Sequence, residues 1–320
     1  MVQNADATTT WRTTRPRSLW GDAARTFSHS KAGMFGLIIA VILFLTAIFA
    51  PLLAPYDHLE QDWTQLRARP SQDHIMGTDE LGRDLFSRLL MGARTAILVA
   101  IIITGTTTAI GLVLGSLGAY LGGWFDQALV WVMDALMNFP SIWLAAFISV
   151  STRPTIGRWA QAIYQATNWE SMRNPVVLDY LIVFGCLGLV GWPGIARLVR
   201  SQVLSIRERE FIEAQRAIGA PTWWVTTRHL MPNVLGSVIV AMSSSFGNAM
   251  LSESSLSFLG VGIQPPGASW GNMIASSVSS WRSDPHLIFM PGIILSVAVL
   301  AFNFVGDALN DALNPRARER

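Results

Sequence analysis

The sequence predicts an all-α integral membrane protein with six transmembrane helices. Only 14% of its 320 residues are charged, against about 25% in an average globular protein. The charges are also bunched, and each of the uncharged stretches exceeds the roughly 20 residues that a helix needs to cross a bilayer. These stretches are 32–56, 95–125, 229–252, 254–281 and 285–306.

The N-terminal part predicts an uncleaved membrane anchor. Residues 1–33 form a polar segment with five basic side chains, followed by an apolar run over 34–54. This run is longer than the apolar core of a signal peptide and begins farther from the N-terminus. Four side chains at helical spacing predict a short helix along the membrane surface within this segment: Trp20, Ala24, Phe27 and Lys31.

A six-helix transmembrane domain is expected to fill residues 34–320. Residues 55–93 carry mixed charges and prolines and are expected to form an aqueous loop. After this loop, apolar segments of bilayer length predict the other five spans. They cover about 95–120, 128–150, 179–198, 234–258 and 287–305.

The basic residues predict the orientation of these spans. An even number of spans places both termini on one side, and that side carries 14 lysines and arginines against nine on the other. Basic residues are enriched in cytoplasmic loops. We therefore expect both termini in the cytoplasm and the 55–93 loop on the opposite side of the membrane.

Several function classes are disfavoured by missing motifs. The only lysine, Lys31, follows Ser30 and precedes Ala32, so the chain has no P-loop for ATP. Cys186 is the only cysteine and the five histidines lack ligand spacing, so neither a disulfide nor a metal site is expected. No Gly-x-Ser-x-Gly elbow is present. We expect no catalytic residue, and the scattered arginines do not favour a nucleic-acid partner.

Polar side chains within the predicted spans are candidates for lining a translocation path. Serines and an asparagine recur at spacings that place them on one helical face of the fifth span, with a glutamate beside them, and the third span carries an aspartate. These side chains either line the path of a substrate or make contacts between helices. Its members are Asp134, Ser245, Asn248, Ser252, Glu253 and Ser255.

Glycines of the second span recur at intervals that permit close helix packing. Gly111 and Gly115 form one Gly-x-x-x-Gly spacing, and Gly118 and Gly122 form another. Small residues at this spacing let two helix backbones approach closely. We expect packing within the chain or against a second subunit, and a hinge is the alternative.

The polar stretch 205–232 predicts two short helices. Phe211, Ala214 or Gln215, and Ile218 form an apolar stripe at helical spacing. Gly219 can adopt the left-handed conformation that ends the first helix, and Pro221 opens the next turn. Exposed apolar side chains on such a loop indicate a partner protein, although the stripe could instead pack on the ends of the protein's own helices.

The same stretch resembles the cytoplasmic signature of bacterial ABC importer permeases. Glu213-Ala214, Gly219 and Pro232 match the Glu-Ala-Ala…Gly…Leu-Pro pattern, with Gln215 and Met231 as departures. Three further segments resemble the permease C subunit of dipeptide and oligopeptide importers. They are HIMGTDELGRDLFSRLLMGAR (74–94), LSESSLSFLGVGIQPPGASWGNMI (251–274) and AFNFVGDALNDALNPR (301–316).

This resemblance implies the type I ABC importer permease fold in the inner membrane of a bacterial cell, with a periplasmic loop over 55–93 and a cytoplasmic coupling loop over 199–232. It implies that a helix of this loop enters a cleft of an ATP-hydrolysing subunit. It also implies a homologous second permease as heterodimer partner, two ATP-binding subunits that hold ATP and Mg²⁺, and an extracytoplasmic substrate-binding protein. The residues implied in coupling are Phe211, Glu213, Ala214, Arg216, Ile218, Gly219 and Pro232.

The cargo implied by the resemblance is a dipeptide or oligopeptide, with nickel or an oligosaccharide as alternatives carried by related systems. Two other classes of function are the alternatives. A proton-coupled secondary transporter would use Asp134, Glu253 or Asp179 as proton relays and would need no ATPase. An intramembrane enzyme would need clustered nucleophile and base residues, and the sequence shows no such cluster.

Overall fold

The computed structural model describes residues 19–225, 228 and 230–313. Within these ranges the chain forms eleven α-helices and no β-strand. Short 3-10 turns at 170–173 and 278–280 complete the secondary structure. The helices are α1 Leu19–His29, α2 Lys31–Leu53, α3 Leu85–Leu121, α4 Gly123–Met137, α5 Ser141–Thr167, α6 Pro175–Arg207, α7 Glu210–Ala217, α8 Thr222–Val225, α9 Met231–Phe258, α10 Trp270–Ser277 and α11 His286–Leu313.

Five helices are long and apolar enough to cross a membrane, namely α2, α3, α6, α9 and α11, and the bent pair of α4 and α5 meets the same criterion of length and composition when it is counted as one span. The axes of α4 and α5 differ by 91°. The prediction of one continuous helix over 128–150 is therefore wrong. Pro140 precedes the first residue of α5 and has no backbone N–H to continue the helical ladder from α4.

The third helix starts ten residues earlier than the apolar pattern predicts, at Leu85 instead of residue 95. Its N-cap is Asp84, whose carboxylate accepts a hydrogen bond from the Ser87 N–H at 2.7 Å. The first turns of α3 thus belong to the predicted loop 55–93. Buried ion pairs brace this region, and a buried charge requires such a partner. They are His74–Asp84 at 2.9 Å, Arg83–Asp79 at 2.8 Å and Arg88–Asp79 at 3.4 Å.

The third helix lies at the centre of the bundle and packs most extensively on α6. A Cβ atom on Gly111 would lie 2.7 Å from the Cβ of Ile195, and one on Gly115 would lie 2.4 Å from the carbonyl oxygen of Ala196. Any larger residue would force the two helices apart. The expected close packing at these two glycines is confirmed, and the neighbouring element is α6 of the same chain.

The N-terminal helix α1 exists, but its face differs from the predicted stripe. It ends at His29 because Ser30 caps α2, accepting a hydrogen bond from the Gly33 N–H at 3.1 Å. Ala23 is the buried residue among those of α1 whose side chains the structure describes, Ala24 is exposed, and Lys31 belongs to α2. The side chain of Trp20 lies outside the described part of the structure. The helix packs against α11. Its position along a membrane surface stays a prediction.

Candidate functional site

The predicted coupling loop contains the two short helices that its sequence indicates, α7 and α8. Helix α6 continues to Arg207, so the first part of the 199–232 stretch extends a transmembrane helix. Gly219 has φ +79° and follows α7. The Ala220 N–H donates to the carbonyl of Gln215 at 3.0 Å, which is the long hydrogen bond of a Schellman C-cap. The expected left-handed glycine is confirmed.

One side chain anchors α7 to the membrane bundle. Ile212 is fully buried in a cluster with Ile206, Val225, Leu230 and the ends of α3 and α6. Two members of the predicted stripe do not supply this anchor, because Ala214 is exposed and Ile218 is 77% exposed, while Gln215 is partly buried. The prediction missed Ile212 because it lies one position beyond Phe211. The side chains of Phe211 and Arg216 lie outside the described part of the structure.

The other face of α7 points away from the protein. Glu213, Ala214, Ile218 and Gly219 are all exposed. The carboxylate of Glu213 and the side chain of Ile218 therefore lie on the surface, just before the turn at Gly219. An exposed apolar side chain beside a polar rim is typical of a protein interface. Pro232 lies in the first turn of α9, so the predicted coupling residues extend from α7 to the start of that helix.

Arginines at the end of α6 tie it to neighbouring helices, which sequence reasoning did not predict. Arg207 donates to the carbonyl oxygen of Ala119 near the end of α3 at 2.6 Å. Arg200 binds both carboxylate oxygens of Asp126 on α4, at 2.6 and 2.7 Å. These bonds connect the base of the coupling loop to α3 and α4. The end of α6, from which the coupling loop continues, is thus in direct contact with two other long helices.

A central cavity of about 230 Å³ lies between α3, α5, α6 and α9. Three of the predicted path residues line it: Ser245, Asn248 and Ser252. The remaining lining residues are Ile103, Thr104, Thr107, Ser141, Ile142, Leu187, Val190, Gly191 and Ala249. The bend between α4 and α5 places the first residues of α5 in its wall.

The other predicted path residues lie elsewhere. Glu253 is buried and accepts hydrogen bonds from the hydroxyls of Ser257 and Ser269, each at 2.7 Å. Ser255 donates to the carbonyl oxygen of Leu251 at 2.7 Å and lines a separate groove. Asp134 is half exposed and forms an ion pair with Arg197 of α6. The sequence pattern could not separate Glu253 and Ser255 from the cavity residues because all of them lie on α9, whereas Asp134 lies on α4, which does not line this cavity.

A second, open cavity of about 770 Å³ lies at the other end of the bundle, where α3 and α6 begin. Its wall includes His58, Arg94, Glu170, Arg173 and Tyr180. Partial burial lowers the pKa of His58, and the nearby carboxylate of Asp57 opposes this shift. The imidazole is thus shifted toward its neutral form in a wall that also carries two arginines.

The chain matches known membrane transport components over most of its length. Residues 108–319 match the family model of the binding-protein-dependent transport system inner membrane component, and residues 18–70 match the N-terminal TM domain of oligopeptide transport permease C. The oligopeptide transport system permease protein OppC of Escherichia coli K12 is 35% identical over 94% of this chain and 93% of its own length.

Two permease proteins of Bacillus subtilis are similar to this chain over comparable lengths. Its oligopeptide transport system permease protein OppC is 33% identical over 94% of this chain and 91% of its own length. Its dipeptide transport system permease protein DppC is 34% identical over 93% and 86%, respectively. With a helical bundle of membrane-spanning length, these matches establish that the chain is a multi-pass membrane protein of the binding-protein-dependent transport system inner membrane component family.

Proposed function

We propose that this chain is the permease subunit of an ATP-driven importer of dipeptides or oligopeptides and forms half of its translocation path. The similar proteins are named oligopeptide and dipeptide transport system permeases, and their similarity extends over nearly the whole chain. The observation that carries the coupling role is the pair of faces on α7. Ile212 is buried in the bundle, whereas Glu213 and Ile218 are exposed on the surface.

The exposed face of α7 is the surface on which we place the contact of this chain with its ATPase partner. The exposed face of α7 docks on one of two ATP-binding subunits, which hold ATP and Mg²⁺, while a homologous second permease completes the path. An extracytoplasmic binding protein delivers the cargo. Closure of the ATPases pushes α7, and its buried anchor passes the displacement to α6 and α9. We assign the coupling to the ATP-binding subunit to the seven predicted residues between Phe211 and Pro232.

The path proposed for the cargo passes the central cavity. Ser245, Asn248 and Ser252 line it, so one polar face of α9 contributes three side chains. Asp134 and Glu253 are engaged with Arg197 and with buried serines, respectively. Such partners favour structural roles for these carboxylates over proton relay. This supports an ATP-driven mechanism over a proton-coupled one.

Both termini and the coupling loop are proposed to face the cytoplasm. Cys186 is the sole cysteine and is only 1% exposed, so an introduced cysteine can be labelled against a low background. Trp169→Cys should react with a membrane-impermeant maleimide added outside intact cells. Ile218→Cys should react only after the membrane is opened. The reverse pattern would place the coupling loop outside and end the proposal.

The coupling role is tested by two glycines in the same backbone conformation. Gly219 has φ +79° and Gly260 has φ +76°, and a Cβ on either would meet nothing within 4 Å. Alanine at either position therefore adds the same left-handed strain of about 1–2 kcal/mol. Gly219→Ala should reduce co-purification of the ATPase subunits and substrate-stimulated ATP hydrolysis, whereas Gly260→Ala should not. Equal ATPase coupling in the two variants would contradict the role of the turn.

The cargo is tested with the complete transporter in proteoliposomes. We expect ATP-dependent uptake of a tripeptide such as trialanine in the presence of the binding protein. Nickel and an oligosaccharide serve as competing cargoes, and uptake of either without peptide uptake would reassign the substrate. Peptide uptake that persists without ATP would favour the secondary transporter.

A further inference from the structure

Several hydrogen-bond donors in the wall of the central cavity have no acceptor among the described residues. Thr104 is fully buried in its wall, and the hydroxyl has no hydrogen-bond partner among the described residues. The structure likewise shows no bond for the side chains of Asn248 or Ser252 within its described ranges. By contrast, the hydroxyls of Thr107 and Ser245 donate to carbonyls of their own helices, each at 2.7 Å.

The start of α5 adds backbone donors to the same wall. The first N–H groups of a helix have no acceptor within it. The carbonyl of Pro140 accepts from Trp143 and Leu144 at 3.0 and 3.1 Å, and the N-cap offers no side-chain acceptor. This leaves the N–H groups of Ser141 and Ile142 as the unbonded donors of this helix start in the described structure. Both residues line the cavity.

The backbone N–H groups at the start of α5 can only donate, whereas the hydroxyls and the amide of the wall can donate as well as accept, so an occupant with acceptor oxygens can bond all of them. The buried hydroxyl of Thr104 is costly to leave unbonded, and Asn248 and Ser252 are accessible to an occupant. The N-terminal end of a helix carries a partial positive charge that stabilises an anion. None of the described lining residues is charged, so no carboxylate of the wall repels such a ligand and no cation neutralises it in advance.

We propose that the central cavity binds the C-terminal carboxylate of the transported peptide, through Thr104, Asn248, Ser252 and the first N–H groups of α5. This inference rests on the proposed function and adds the group of the cargo that this chain recognises. Thr104 lies near the middle of α3, so the peptide would be held within the bundle after it leaves the binding protein. The hydroxyl of Thr104 acts as a donor in this site and changes no covalent bond.

Two threonines of α3 supply a matched test. The hydroxyl of Thr108 is also buried without a described partner, but Thr108 does not line the cavity. Each Thr→Val change removes one such hydroxyl at nearly constant volume. In proteoliposomes with the complete transporter, Thr104→Val should slow trialanine uptake about tenfold, the typical worth of one hydrogen bond to a charged group. Thr108→Val should change it less than twofold.

A second pair of variants tests the charge of the ligand at pH 8. Asn248→Leu and Asn248→Asp both remove the amide donor, but only the aspartate adds a negative charge beside the proposed carboxylate. Asn248→Asp should therefore transport trialanine at least tenfold more slowly than Asn248→Leu. Equal effects of the two threonine variants, or an aspartate variant as active as the leucine variant, would overturn the site while leaving the importer intact. A wild-type complex without ATP-dependent peptide uptake would overturn the proposed function itself.

Discussion

The two ends of α9 are connected to the rest of the protein in different ways. After Phe258 the chain enters the 259–269 loop, which is held by side chains of α5, α6, α9 and α10. Before Met231 lies the coupling loop, whose α7 is held by one buried side chain among those described, Ile212. The central cavity lies between these two ends.

The 259–269 loop is fixed by hydrogen bonds to its backbone. The Gln264 N–H donates to Asp179 at 2.8 Å, and the Ile263 N–H donates to the hydroxyl of Ser257 at 3.0 Å. The amide of Asn272 donates to the carbonyls of Ile263 and Gly267 at 3.1 and 2.8 Å. Arg153 pairs with Asp179 at 2.7 Å. Displacing this loop would break several of these bonds together.

This difference indicates which end of α9 can move. The coupling loop presents an exposed surface and is attached through the buried side chains of Ile212, Val225 and Leu230 and through Arg207 at the end of α6. In the proposed mechanism, a force on this surface would tilt α9 about its fixed end at the 259–269 loop. The polar face of α9 at the cavity would then shift relative to α3 and α5. The largest effects on stability are accordingly expected at the fixed end, and the largest effects on coupling at the free end.

The strongest test of the fixed end is Glu253→Ala. This change removes the acceptor of two buried hydroxyls, those of Ser257 and Ser269. It also leaves a small cavity. We expect the free energy of unfolding to fall by about 3–5 kcal/mol, measured as a large decrease of the apparent Tm in detergent. Glu253→Gln retains an acceptor oxygen and should lose much less, and an unchanged Tm in Glu253→Ala would show that the loop is not fixed there.

A matched pair of isoleucines compares the two ends directly. Ile263 and Ile212 are both fully buried, the first in the 259–269 loop and the second in α7. An Ile→Ala change in a core costs about 2–5 kcal/mol. Ile263→Ala should lower the apparent Tm of the whole protein. Ile212→Ala should loosen α7 alone, so that ATPase stimulation falls while the Tm stays within a degree or two. Equal Tm losses would mean that both ends belong to one rigid body.

The sequence predicted the helical spans and the coupling loop because both depend on local rules. Apolar length defines a span, and a left-handed glycine defines the end of α7. The break at Pro140 could have been read from the proline, but apolar residues on both sides concealed it. Helix α3 extends beyond its apolar part because Asp84 caps it within a braced loop.

The site was predictable only in part. Helical spacing correctly placed Ser245, Asn248 and Ser252 on one face, but no local pattern could add Thr104 from α3 or the start of α5, since tertiary packing brings them together. The buried role of Glu253 was hidden for the same reason, because Ser269 lies on a following loop. Ile212 differs from the predicted stripe by one residue, a shift of about 100° around a helix.

The smallest expected effect concerns the exposed side chain that would touch the ATPase. Ile218 is 77% exposed and Ile75, in the braced loop before α3, is 62% exposed. Serine at either position should leave the Tm unchanged, because neither side chain packs in the core. If Ile218 is covered on docking, Ile218→Ser loses apolar burial worth about 1 kcal/mol, which is about a fivefold weaker association. Titration of the purified ATPase subunits onto the permeases in nanodiscs measures this difference, and Ile75→Ser should bind them like the wild type.

An Ile218→Ser complex of wild-type affinity would move the contact surface to another part of the coupling loop. A loss of affinity in Ile75→Ser would instead place the ATPases at the end of the bundle opposite the coupling loop.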